Sequence, residues 1–198
     1  MNVVFDLGMV LIEWDPRHVY RQVFNDDAKM EWFLAEVCHG DWNLEQDRGR
    51  SFDDGVKEAT ARHPELAKEI ALYRDRWMDM VPGDIPGSVA ILKELHAKGT
   101  PLYAITNWNS DTYRATEKRF DFLKLFRDIV VSGDEKLIKP QPEIFQLLAA
   151  RNGLNLADSL FIDDNLKNVH GAEAVGMRAH HFTGPESLRT DLQKRGIL

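Results

Sequence analysis

Cysteine is almost missing from this chain. Cys38 is the only one in 198 residues, which excludes an intrachain disulfide and a thiolate zinc cluster. No apolar run approaches the ~20 residues that a membrane-spanning helix needs. No basic segment followed by an apolar stretch and a small-residue cleavage site marks a signal peptide. Runs of Lys or Arg are absent too, and the formal charge of −7 argues against nucleic acid as the main partner. A local positive pocket for a small anion is compatible with that balance. There is no internal repeat and no low-complexity tract. These absences lead us to expect a cytoplasmic protein with neither a membrane nor a nucleic-acid partner; its oligomeric state does not follow from the sequence. What is present is globular: 43% hydrophobic and 29% charged residues. The length is enough for one core without disulfides or structural metal.

The first apolar run, Val3–Val4–Phe5, ends in Asp6, Leu7 and Gly8, and a second run, Met9–Val10–Leu11–Ile12, follows. A strand that delivers an Asp from its C-terminal end into a glycine-containing loop presents a carboxylate well. A buried strand whose Asp merely caps the next element gives the same pattern. After Asp15–Pro16 the texture changes. From about Arg17 to Met80 the chain reads as helical, rich in Glu, Asp, Arg, Ala, Trp and Phe. Pro64 suits a first helical turn, and Leu66, Ile70, Tyr73 and Trp77 form one apolar face of a helix of roughly four turns. Val23–Phe24, Trp32–Phe33–Val37 and Phe52–Val56–Ala59 suggest three more amphipathic helices. Cys38–His39 invites a nucleophile–base reading, but adjacency in sequence rarely gives hydrogen-bonding geometry, and a buried Cys beside a solvated His is the plainer reading.

Val81–Pro82–Gly83–Asp84–Ile85–Pro86–Gly87 breaks the helical texture and marks a hinge or boundary. Beyond it, strands and helices alternate. A helix from Ser88 to Lys98 ends at Gly99, which suits a left-handed cap. A strand over Leu102–Ile105 precedes a helix from about Asp111 to Arg119. Ile129–Val131 is a strand, and Pro142 opens a helix that stops at Gly153. Leu160–Ile162 is a strand before a helix that runs to Gly176. His180–Phe182 is a last short strand, with a terminal helix after Pro185. Such alternation implies parallel pairing through right-handed crossovers, and near-continuous apolar strands imply that both sheet faces are covered. The expected fold is α/β: a doubly wound parallel sheet, a Rossmann-like core, over residues 1–15 and 82–198. A helical bundle over 16–81 is inserted after the first strand.

Ligands in such sheets bind beyond the carboxyl ends of the strands. The residues there are Asp6, Thr106–Asn107, the segment leading to Lys139–Pro140, and Asp163–Asp164. Carboxylates gathered in one crevice repel unless a cation joins them, so oxygen ligands for a hard divalent ion, Mg²⁺ before others, are implied. An ammonium and a hydroxyl beside that ion suit a phosphoryl or carboxylate group.

Four stretches at these strand ends resemble the motifs of the haloacid dehalogenase superfamily, and the resemblance covers essentially the whole chain. They are Phe5–Val10, Ile105–Asn107, Lys139–Phe145 and Phe161–Asn165, the last continuing through Asn168, Val169, Gly171, Ala172 and Gly176–Met177. The helical insert resembles the superfamily's small cap, with His39–Asn43 and Gln46–Gly49 similar to its substrate-facing loop. The opening motif is similar to the branch that begins Asp-Leu-Gly-Asn-Val, which includes glucose-1-phosphate phosphatase, and to the N-terminal phosphatase domain of epoxide hydrolases. The resemblance implies a Mg²⁺-dependent phosphatase acting on a small phosphorylated metabolite, a sugar phosphate among them. Asp6 would be the nucleophile, forming an aspartyl-phosphate that water hydrolyses. Thr106 and Asn107 would hold phosphoryl oxygens, and Lys139 would neutralise charge. Asp6, the Gly8 carbonyl and Asp164 would bind the metal, with Asp163 nearby.

Two departures matter. Most phosphatases of the superfamily carry an acid/base Asp two residues after the nucleophile, where this chain has Gly8, and Met9 stands where the branch has Asn. Losing a positioned acid/base costs ~10²–10⁴-fold. The missing Asp is shared with metal-independent 2-haloacid dehalogenases, the main rival reading. Asp163–Asp164 favours the phosphatase, because a spare carboxylate beside Asp6 would raise the nucleophile's pKa without a cation. A degenerate, non-catalytic binder of a phospho-ligand or partner is the third reading. Trp108 lines the pocket or simply covers the crevice. Trp42 and Arg48 are candidate substrate contacts, against the alternative that a bundle needs aromatic core and surface charge anyway. His170, His180 and His181 read as structural or solvated, and Lys136 as a loop lysine.

Overall fold

A computed structural model describes residues 1–198. Five parallel strands, β1 (Asn2–Phe5), β2 (Leu102–Thr106), β3 (Asp128–Val131), β4 (Ser159–Asp163) and β5 (Arg178–His181), lie in the order β3-β2-β1-β4-β5. β1 is central, with Phe5 opposite Ala104 on one side and Ile162 on the other. The strand order reverses at β1, so the chain turns away in both directions just where Asp6 emerges. That is the position at which open α/β sheets bind ligands.

The two faces of the sheet follow the two-residue side-chain period. Val4, Tyr103, Ile105 and Phe161 point to one side and pack with Ile144, Phe145, Leu148 and Ala172. These come from α9 (Pro142–Asn152) and α10 (Leu166–Ala174). Val3, Phe5, Leu102, Ala104, Leu160 and Ile162 point to the other side. They meet α6 (Pro86–Ala97) and α11 (Pro185–Lys194) through Ile91, Leu92, Leu95, Leu188 and Leu192. The remaining core helices are α7 (Ser110–Glu117) and the short α8 (Ser132–Glu135). Gly99 and Gly153 both close helices with positive φ, 79° and 63°, as their positions predict. The last strand starts earlier than expected and leaves Phe182 outside it; as an edge strand it has no buried residue.

Between β1 and α6 lie five helices: α1 (Arg17–Tyr20), α2 (Asp27–Glu36), α3 (Gly40–Asp47), α4 (Phe52–Arg62) and α5 (Ala67–Asp75). Their centre is aromatic. Tyr20 lies 4.8 Å from Phe33, and Trp42 5.0 Å from Tyr73, between ring centroids. Buried rings of this size each contribute about 1.5–3 kcal/mol of transfer free energy. Leu7, Val10, Leu11 and Ile12 join this centre to the inner face of the sheet, so both belong to one continuous apolar cluster.

Three local readings change. Val23 and Phe24 lie beyond the end of α1, not inside a helix. The expected four-turn helix after Pro64 is divided: Pro64–Leu66 is a 3₁₀ turn, α5 stops at Asp75, and Trp77–Met80 is again 3₁₀. An Arg76–Asp79 ion pair of 2.7 Å spans that last turn, and Trp77 comes to 5.4 Å from Trp108. Finally, the stretch after His39 is a helix, α3, where a loop was expected. His39 is its N-cap, with Nδ1 accepting from the Trp42 N–H at 3.2 Å. Cys38 is buried, which pushes its thiol up to about 12, and His39 bonds Trp42 rather than the thiol, so the two do not form a nucleophile–base pair.

Candidate active site

Asp6 leaves β1 with its backbone N–H still bonded to the Ile162 carbonyl at 2.8 Å. Its Oδ1 accepts from the Leu7 N–H at 2.7 Å and from Lys139 Nζ at 2.8 Å. Neither hydrogen bond uses Oδ2. One oxygen is fixed, and the other is left for chemistry.

Lys139 is 2% exposed, and its ammonium also donates to Asp163 Oδ2 at 2.7 Å. A buried ammonium would ordinarily lose its proton. Burial does work in that direction, but the Asp163 and Asp6 carboxylates outweigh it and hold Lys139 above its usual range. Asn107 positions this lysine: Oδ1 accepts from the Lys139 N–H at 2.8 Å and Nδ2 donates to its carbonyl at 3.1 Å. Both ends of the Asn107 amide thus bond the Lys139 backbone, and the second Nδ2 hydrogen is left over on the side chain expected to hold a phosphoryl oxygen. Asp163 is fully buried, and its oxygens are committed. It accepts from Lys139, from the Asn165 N–H at 2.8 Å and from Asn168 Nδ2 at 3.1 Å.

Carboxylate oxygens of Asp6, Asp163 and Asp164 lie within 4.8 Å of one another. Against them stands the Lys139 ammonium alone. Burial, together with the neighbouring Asp163 and Asp164 and despite Lys139, pushes Asp6 up to about 8. Asp164 is raised as well, by burial first and by Asp163 second. The cluster is short of positive charge, and hard oxygen donors short of positive charge fit a divalent cation. Asp6 Oδ2 and the exposed Asp164 carboxylate are the groups free to hold one. Asp163 is close enough but has its oxygens occupied.

Above this floor is a cavity of about 250 Å³, lined on the core side by Asp6, Gly8, Asn107, Trp108, Lys139 and Asp164. Met9, Trp14 and Trp77 add apolar wall, and Asn43 and Asp47 reach in from α3. Three wall atoms are buried without a partner: the indole N–H groups of Trp14 and Trp108, and Asn43 Oδ1.

Of the residues singled out in the sequence, the structure gathers Asp6, Gly8, Asn107, Trp108, Lys139 and Asp164 around this cavity. Thr106 and Asp163 end β2 and β4 but lie behind the lining, both buried. Trp42 and Arg48, expected as substrate contacts, are not brought there. The Trp42 indole donates to the Gly55 carbonyl at 3.2 Å inside the helical insert, and Arg48 pairs with Glu45 at 3.6 Å. Lys136 and His170 are exposed. His180 faces Asp191 at 3.2 Å, and His181 meets the Asp164 carbonyl at 2.9 Å.

Asn43 and Asp47 fall within the two stretches expected to face substrate, but the sequence did not single them out. They are four residues apart on α3, hence on one helical face, and Asn43 Nδ2 donates to Asp47 Oδ2 at 3.1 Å. Burial holds the Asp47 carboxyl well above the ordinary range. The Asn109 N–H and Lys139 work against that shift, and the nearby Asp6 adds to it. The spacing was visible in the sequence; without the helix it had no direction.

A parallel α/β sheet with a carboxylate–lysine–carboxylate floor at its topological switch point places that floor where α/β enzymes of this kind bind their ligands. The chain belongs to the haloacid dehalogenase-like hydrolases, whose family model matches residues 2–176. It is 28% identical over 98% of its length, and 95% of the relative's, to the sesquiterpene phosphatase astK of Aspergillus oryzae. Its fold is similar to a magnesium complex of a family enzyme from Bacteroides thetaiotaomicron. The TM-score is 0.72 at 21% identity, covering 92% of this chain and 93% of that one. It is also similar to the L-2-haloacid dehalogenase of Xanthobacter autotrophicus with chloropropionic acid covalently bound. There the TM-score is 0.65 at 17% identity, covering all of this chain and 84% of that one. The protein is thus an enzyme, a hydrolase, with a phosphatase relative along almost its entire length. No helix is long and apolar enough to cross a membrane.

Proposed function

We propose that the chain is a Mg²⁺-dependent phosphatase that hydrolyses a small phosphomonoester through an aspartyl-phosphate on Asp6. One observation carries this reading: Asp6 has one oxygen fixed by Leu7 and Lys139 and the other free in a cavity that also exposes Asp164. Asp6 and Asp164, with the Gly8 backbone carbonyl, would hold the ion. When bound, Mg²⁺ supplies the positive charge that lets a carboxylate approach a phosphate dianion.

Asp6 Oδ2 attacks phosphorus, and the bond from phosphorus to the leaving oxygen breaks. The leaving oxygen departs with the electron pair and takes a proton. Water then attacks phosphorus, the bond to Oδ2 breaks, and the carboxylate and inorganic phosphate are regenerated. Lys139 stays charged throughout and offsets negative charge on Asp6 and on the transferring group. Asn107 and Asp163 act through Lys139, fixing where its ammonium sits.

The apolar walls Met9, Trp14, Trp77 and Trp108 fit a leaving group with an apolar face. A sugar 1-phosphate, suggested by the opening motif, and a sesquiterpene phosphate, suggested by the relative in Aspergillus oryzae, both satisfy that. The cytoplasm is the expected compartment, and the expected partner is the small phosphorylated metabolite itself.

The test is phosphate release from a panel of sugar, sesquiterpene and simple alkyl phosphates, with Mg²⁺ and with EDTA, beside chloride release from 2-chloropropionate. The reading requires Mg²⁺-dependent phosphate release that Asp6→Asn abolishes. Chloride release indifferent to EDTA would replace it with the dehalogenase reading.

A further inference from the structure

Gly8 stands where a phosphatase of this kind needs a proton donor, and the floor of the site holds no substitute. Asp163 is fully engaged, and Lys139 is held charged between two carboxylates. Asp6 is the nucleophile and Asp164 a metal ligand under the function proposed above, on which this inference rests. The remaining acid in the cavity wall is Asp47, and it comes from the helical insert.

We propose that Asp47 is the general acid and base of the reaction, protonating the leaving oxygen and then taking a proton from the attacking water. Three features of its setting argue for this. First, it lines the same cavity as Asp6 and reaches it from the insert. Second, the end of α3 that carries it is tied firmly to the core. Ser132 Oγ donates to the Asp47 carbonyl at 2.6 Å, and Asn109 Nδ2 donates to the Gln46 carbonyl at 3.1 Å. Ser132 opens α8 directly after β3, and Asn109 caps α7. Two strand-end elements of the core therefore hold the last turn of α3 against the crevice.

Third, no cation pairs with the Asp47 carboxyl; its side-chain partner is the neutral amide of Asn43 at 3.1 Å. Asp6 and Asp163, by contrast, share Lys139. A half-buried carboxyl without a cationic partner favours its protonated form, and the upward direction of its pKa agrees. It is the donor the first step needs and, once deprotonated, the acceptor the second step needs.

In the first step Asp47 gives its proton to the oxygen leaving phosphorus and becomes a carboxylate. In the second it takes a proton from water as that oxygen bonds to phosphorus and Asp6 leaves. One proton goes out and one returns, so the cycle closes.

The test compares first-turnover rates in Asp47→Asn with two esters the wild type hydrolyses: an alkyl phosphate, and 4-nitrophenyl phosphate, whose leaving group departs as a stable anion. The variant is expected to lose ~10²–10⁴-fold in the alkyl first turnover. With 4-nitrophenyl phosphate it should still release one equivalent of nitrophenolate in a burst within tenfold of the wild-type rate, followed by slow steady turnover. A merely structural role would slow both first turnovers alike. That result, or an undiminished alkyl rate, overturns the proposal. Asp47→Ser is read in the same way if Asp47→Asn does not melt like the wild type. Wild-type protein that releases phosphate from neither ester would instead defeat the phosphatase reading itself.

Discussion

The floor and the wall of the active-site cavity are built differently. The floor comes from strand ends, and each of its charged groups is held by several others. Lys139 alone bonds two carboxylates through its ammonium and one amide through its backbone. The wall is mixed: Asn43, Asp47 and Trp77 come from the helical insert, Met9, Trp14 and Trp108 from the core, and Asn43, Trp14 and Trp108 each carry an unpartnered polar atom. A floor so cross-braced fixes where a phosphoryl group would react. A wall whose side chains take no part in that bracing can be retuned for a leaving group without disturbing that chemistry.

The largest effect that would sharpen this contrast is expected at the centre of the floor. Lys139→Met leaves Asp6 and Asp163 buried side by side without their cation. Removing one partner of such a network costs about 3–5 kcal/mol, and denaturant unfolding should show most of that loss at neutral pH and less in acid. An equal loss at both would mean that charge is not what the lysine manages.

On the insert side, Trp42→Ala should cost about 3–5 kcal/mol of stability through the cavity it leaves among Tyr73, Gly55 and their neighbours. Its effect on turnover should be no more than partial unfolding explains. Arg48→Ala, which removes only an exposed pair with Glu45, should change stability by less than ~1 kcal/mol and leave kcat/KM unaltered. A selective rise in KM for either variant would bring these residues back to the substrate.

The floor should also announce itself through pH. A carboxyl whose folded pKa is raised stabilises the fold at low pH and loses that contribution as pH climbs through the folded value. For Asp6, raised from 3.8 to about 8, the loss spans that interval, and the raised Asp47 and Asp164 act in the same sense. In EDTA the melting temperature should therefore fall between about pH 5 and pH 8. Mg²⁺ should raise it more at the upper end, where the carboxylates are available to bind. A Mg²⁺ effect that is flat with pH would separate the ion from the floor.

The smallest effect is expected from Gly8→Asp. A Cβ there meets no atom within 4 Å, so the variant should fold. With Asp47 already supplying the proton, alkyl phosphate turnover should rise less than tenfold. A larger gain would say that the wall contributes little.

The same contrast decided what the sequence could show. Apolar runs ending in Asp6, Thr106 and Asp163 read as parallel strands, and a parallel sheet sends their ends to one edge. The floor was therefore legible from pattern alone, down to Lys139. The commitment of Asn107 to the Lys139 backbone was not, because a side chain's choice between ligand and main chain leaves no trace in spacing. The wall failed for a different reason. α3 carries few apolar residues, Trp42 and Leu44 among them, so no periodicity declared it a helix. Read as a loop, it offered Trp42 and Arg48 as the conspicuous side chains. Read as a helix, it turns Asn43 and Asp47 to one face and Trp42 and Gln46 to another, where both are buried.

The division of labour between floor and wall is tested most directly by acid quenching during steady turnover of 4-nitrophenyl phosphate, followed by peptide mass analysis. The account predicts that the peptide containing Asp6 carries one phosphoryl group, more of it in Asp47→Asn than in the wild type, and none in Asp6→Asn. Turnover with that peptide unmodified, or with the phosphoryl group on another residue, would contradict it.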